Sequence, residues 1–123
     1  MPSKLQALES LAKKYGAHPE FLGIQILSPN QRGAVDDTLL HLAARTGAIE
    51  DIKILIEIGA DIDVPGDLGN TPLHQAAMSG QVEAIKLLLK CGAKKHLKNE
   101  FEQTPLDVAV LSGRDEIIRI FKL

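Results

Sequence analysis

One phrase returns in this chain at a fixed interval, and that interval restricts the fold more than any other feature. TLLH begins at Thr38, TPLH at Thr71 and TPLD at Thr104, each 33 residues after the last. Gly47, Gly80 and Gly113 keep the same step, as do Glu50, Glu83 and Glu116, and Ile52, Ile85 and Ile118. The pairs Gly59-Ala60 and Gly92-Ala93 are in phase with them. So many residue types held in register describe one supersecondary unit repeated in tandem, and function belongs on a repetitive surface.

The unit reads as two helices and a turn. Thr71 is an N-cap type, and Pro72 takes the first helical position, where a missing N–H costs nothing. Thr104 and Pro105 repeat this, while Leu39 follows Thr38 without the pre-set φ and predicts a less rigid helix start. The first helix is small-faced, with Leu40, Ala43 and Ala44 in one unit and Leu73, Ala76 and Ala77 in the next. Gly47, Gly80 and Gly113 end these helices, where a left-handed residue is common. The second helix, Val82 to Lys90, sets Ile85, Leu88 and Leu89 on one face, and Gly92 stops it. Polar stretches such as Asp61 to Gly69 read as projecting turns. No helix pair buries its apolar face alone, so stacking must hold the array together.

The wording resembles the ankyrin repeat, a 33-residue unit of a turn and two helices with a TPLHxA phrase. Gly66 to Ala93 matches best; Leu39 departs from the proline, Asp107 from the histidine and Glu102 from the glycine at Gly69. The resemblance implies an all-α, ankyrin-type solenoid of stacked helix–turn–helix repeats that acts by binding other proteins. The expected divisions are N-terminal capping helices at 1–32, repeats at 33–65 and 66–98, and a C-terminal capping repeat at 99–123. Within the first cap, Ser3 to Tyr15 reads as a helix with Leu5, Leu8, Leu11 and Ala12 inward and Gly16 as its stop. His18 to Ile26 reads as a degenerate second helix. At the other end Lys122 stands where Ile56 and Leu89 are expected buried, which predicts that the array closes at Leu123 with an exposed charge.

Composition narrows the functional classes. No apolar run approaches the ~20 residues of a membrane span, and the amphipathic amino terminus does not read as a signal peptide. Cys91 is a single cysteine, read as partly buried, which excludes an intramolecular disulfide and points to a reducing, cytoplasmic setting. The net charge of −2 speaks against nucleic acid. His41 and His74 sit at one point of successive units; helices packed ~8–10 Å apart cannot bring both rings within ~2 Å of a shared metal. The resemblance implies that each imidazole instead bonds backbone of an adjoining turn. No phosphate loop, serine elbow or metal cluster is present, so neither a catalytic residue nor a cofactor is expected.

The resemblance places partners on the turn tips and the exposed face of the first helices. Those places hold Asp36, Asp37, Asp67, Leu68, Asn70, Glu100, Phe101, Glu102 and Gln103, with Arg45, Thr46, Met78, Ser79, Leu111 and Ser112 on the helices. Of these, Asp36, Asp37, Arg45, Asp67, Leu68, Asn70, Met78, Glu100, Phe101 and Leu111 form the candidate binding set. Acids around Leu68 and Phe101 suggest a partner with a basic surface and a small apolar patch. Between Ala84 and Asn99 lie five lysines and no acid, a basic stretch that could instead meet an acidic surface. The leading expectation is a module, monomeric before complex formation, serving as an adaptor or stoichiometric inhibitor. One version is an antidote covering a toxic enzyme. The rivals are a small hydrolase using His41 and His74, and a structural protein self-associating through Met78 and Leu111.

Overall fold

Thr38, Thr71 and Thr104 each start a helix by the same reciprocal device. The Nδ1 atoms of His41 and His74 accept the backbone N–H of Thr38 and Thr71 at 3.0 and 3.1 Å, and Asp107 Oδ2 accepts that of Thr104 at 2.9 Å. The hydroxyls of Thr71 and Thr104 accept the N–H of His74 and Asp107 in return, at 3.3 and 3.2 Å. This is a capping box with histidine or aspartate in place of the usual Glu or Gln. The fourth letter of the recurring phrase is therefore part of the helix start.

The computed structural model describes residues 3–122; Met1, Pro2 and Leu123, the expected close of the array, lie outside the described residues. Among the described residues the chain is all-helical: α1 Lys4–Tyr15, α2 Leu39–Thr46, α3 Ile49–Glu57, α4 Pro72–Ser79, α5 Val82–Lys90, α6 Pro105–Leu111 and α7 Asp115–Phe121. The first helices α2, α4 and α6 stack side by side, α3, α5 and α7 form a second layer behind them, and α1 packs on α3. Leu40, Ala43, Ala44, Leu73, Ala76 and Ala77 are buried between neighbouring first helices, and Ile52, Leu55, Ile85 and Leu88 between the layers. Each buried Leu or Ile contributes about 1.5–3 kcal/mol, and the alanines allow the close approach. Gly47, Gly80 and Gly113 are left-handed at φ 71°, 71° and 67°, as the helix ends require. Leu39, in the place of the two prolines, is fully buried.

Four expectations need correction. Leu8 and Leu11 of α1 are buried, but Leu5 is 65% exposed. A three-residue step turns a helix by about 300°, so Leu5 is rotated about 120° from Leu11 and faces away from α3. His18 to Ile26 is no helix but a run of tight turns, in which His18, Phe21 and Ile24 each donate to the carbonyl three residues back. Pro19 cannot donate a helical bond and Gly23 is left-handed at φ 78°, although Phe21 still fills a core position. Lys122 is exposed as expected, yet Ile56 and Leu89 are only half-buried, on the flank of their helices. Cys91 is exposed at the end of α5.

Asp51 fastens α1 to the array. It is buried at the position held by Ala84 and Ile117 in later units, and its carboxylate accepts from Tyr15 Oη at 2.5 Å and Lys14 Nζ at 2.6 Å. Burial, together with the Asp51 carboxylate it donates to, pushes the Tyr15 phenol well above its usual range.

Candidate functional site

Ahead of each first helix the chain makes a five-residue turn closed by the same backbone bond. Gly33 donates to the Asp37 carbonyl at 2.7 Å, Gly66 to Asn70 at 2.8 Å and Asn99 to Gln103 at 2.9 Å. The three tips are 33–37, 66–70 and 99–103. Asp36, Gly69 and Glu102 occupy equivalent places with φ of 71°, 73° and 60°, so the third unit keeps the left-handed backbone without its glycine. Leu68 is left-handed as well, at φ 57°, which is uncommon for a bulky side chain.

The tips are braced to one another. His41 Nε2–H donates to the Asn70 carbonyl at 2.9 Å and His74 Nε2–H to the Gln103 carbonyl at 2.8 Å, so each ring joins its own helix start to the next tip. Glu100 N–H donates to the Leu68 carbonyl at 3.0 Å, Asp67 N–H to Asp37 Oδ1 at 2.9 Å, and Asn99 Nδ2–H to Asn70 Oδ1 at 3.0 Å. Arg32 reaches the carbonyls of Asp36 and Pro65 at 2.8 and 2.7 Å. The expected bond between histidine and adjoining turn is thus present in both units that have a histidine. Burial holds both imidazoles below the usual histidine range. Protonation would also set a second hydrogen on Nδ1, where a threonine N–H already points. Asp107 lies on the open side of the third unit, and the Thr104 N–H holds its carboxylate below the usual range.

The candidate set divides on this platform. Asp36, Asp67 and Glu100 are exposed, as are Leu68 at 46%, Phe101 at 63% and Leu111 at 72%; Met78 is half-buried. Phe101 projects outward and does not fold back on the stack. Asp37 is not an exposed tip residue: it is buried, with Oδ1 on Asp67 N–H and Oδ2 3.5 Å from Arg45. Asn70 is likewise buried, engaged by His41 and Asn99. Both stand at the fifth tip position, which faces the neighbouring unit. Arg45 is tied to Glu20 at 2.9 Å as well as to Asp37, so its charge is spent within the fold. One contributor escaped sequence reading. Val35, 43% exposed, completes a row with Leu68 and Phe101, and the 33-residue step alone would have pointed to it.

No described group of three or more His, Cys, Asp or Glu side chains is placed to hold a metal ion. None of the described helices is long and apolar enough to cross a membrane. The family model for ankyrin repeats, in three copies, matches residues 8–99 and 40–122. The chain belongs to the ankyrin repeat family. That membership makes it a protein–protein interaction module in a family that is generally non-enzymatic. A search of curated proteins finds no match.

Proposed function

We propose that this ankyrin repeat protein binds one protein partner across its turn tips and acts by occupying that partner's surface, as an adaptor or a stoichiometric inhibitor without catalysis of its own. The observation that carries this reading is the row Val35, Leu68 and Phe101, exposed on braced tips and bordered by Asp36, Asp67, Glu100 and Glu102. Apolar side chains held outward with acids around them suit a partner with a basic surface and a small apolar patch: charge steers the encounter, and desolvated apolar contact slows release. The bracing supports the same conclusion, since a platform already ordered loses little entropy on binding. Leu68 adds to it, because a leucine held left-handed serves no core contact here and strain of this kind gathers at working sites. Leu111 and Met78 extend the surface along the first helices. An antidote for a basic toxic enzyme is one form such an inhibitor takes.

Affinity capture from the native source with parallel baits tests the reading. The wild-type chain, Asp67→Lys/Glu100→Lys and Leu68→Ser/Phe101→Ser are compared by quantitative mass spectrometry, with circular dichroism confirming the fold of each bait. The expected result is one dominant basic protein held by the wild-type chain and lost from both variants. A captured basic protein retained equally on all three baits would refute a tip-borne site.

A further inference from the structure

The tips leave unexplained a cluster of four lysines around the end of α5 and the loop that follows it. A groove of about 810 Å³ runs along the second-helix layer. Lys86, Lys90, Lys94 and Lys95 line its rim, and Leu89, Leu97 and Ile120 are among the apolar groups inside it. No residue of the first helices or the tips contributes to it. Its volume falls in the range of about 300–1,000 Å³ usual for ligand clefts.

The lysines have no evident role in the fold. Among the described ion pairs Lys86 meets Glu83 at 3.7 Å, but none involves Lys90, Lys94 or Lys95. Nor does the repeat require them, because the preceding unit has Glu57 and Asp61 where this one has Lys90 and Lys94. The back of the array therefore changes sign from one unit to the next while the scaffold beneath is unchanged. Unpaired cations crowded around an apolar floor repel one another and are relieved by an anionic occupant.

We propose that this groove is a second docking site, for a short acidic segment of a protein partner that carries apolar side chains among its carboxylates. Charge complementarity selects the acids, and the floor of Leu89, Leu97 and Ile120 selects the apolar groups. A short occupant is favoured over a long one by the neighbouring acids: Glu57 and Asp61 border the basic unit and repel a continuous anionic strand or sheet such as nucleic acid or a membrane surface. The groove shares no residue with the acidic tips, so the chain has two surfaces of opposite sign for two different partners.

The test uses the whole chain and a fluorescein-labelled short peptide of mixed Glu and Leu, read by fluorescence anisotropy. Controls are the same peptide with Gln for Glu, an all-Glu peptide, single-stranded oligonucleotide and vesicles of anionic phospholipid. The expected result is micromolar binding of the Glu/Leu peptide, weakened about tenfold or more by Lys90→Glu/Lys94→Glu and by added salt. Binding should be weaker for both peptide controls and unchanged by Asp67→Lys/Glu100→Lys, which separates this site from the tips. Circular dichroism checks that each variant is folded, and the lysines are surface groups whose reversal leaves the core intact. No binding, equal binding by the lysine-reversed chain, equal binding of the all-Glu peptide, or preference for vesicles or oligonucleotide would each overturn the proposal.

Discussion

Acidification should loosen this array well before its carboxylates protonate, because two of its structural bonds depend on neutral histidine. His41 and His74 are fully buried, accept a threonine N–H at Nδ1 and donate from Nε2 to the next tip. Burial holds both below the ordinary imidazole value of about 6.5 in the folded chain. Below pH 6.5 the unfolded chain takes up protons that the folded chain refuses, so stability present above that pH is lost as pH falls toward the folded values. Each ring contributes a slope of at most about 1.4 kcal/mol per pH unit, and the two together at most about 2.7. Against a total of about 5–15 kcal/mol for an ordinary domain this is a large fraction. Urea unfolding followed by circular dichroism at intervals from about pH 7.5 to 5.5, a window above the usual carboxylate range, measures it. His74→Gln should lower stability throughout but roughly halve the slope. A flat profile across the window, or an unchanged slope in His74→Gln, would refute neutral histidines as the braces between units.

Other consequences follow from single positions. Leu88→Ala, at a fully buried site between the layers, should cost about 2–5 kcal/mol in urea unfolding, whereas Leu89→Ala, half-buried one residue on, should cost clearly less. Asp37→Ala should cost about 1–3 kcal/mol by leaving the Asp67 N–H and Arg45 without their acceptor; a neutral result would return Asp37 to the exposed tip set. Glu102→Gly should raise thermal stability by up to about 1 kcal/mol through relief of the left-handed backbone. Leu68→Gly should gain similarly while losing partner binding, so a stabilised variant with undiminished binding would deny Leu68 a role.

The architecture was legible because it is written three times. Thr71, Pro72, His74 and Gly80 each report a local backbone requirement, and their return at one step leaves little choice of fold. The non-repeating segment lacked that check. His18 to Ile26 has an apolar pattern compatible with a helix, but Pro19 and Gly23 decide for turns around a buried Phe21. The candidate surface was legible in outline only. Exposure of Leu68 and Phe101 follows from their place on a tip, whereas the burial of Asp37 and Asn70 depends on hydrogen bonds to residues about a repeat away, whose geometry no spacing in the chain discloses. Arg45 looks free in the sequence for the same reason, since Glu20, its partner, lies in the segment without a repeat. Val35 is inconspicuous in the sequence beside the two acids that follow it.

Hydrogen–deuterium exchange of the chain alone and in complex with the partner it captures shows whether the braced tips form the binding surface. Binding at the tips requires slowed exchange across 33–37, 66–70 and 99–103, with the outer faces of α3, α5 and α7 unchanged. Protection confined to the second-helix layer, with the tips exchanging as in the free chain, would contradict it.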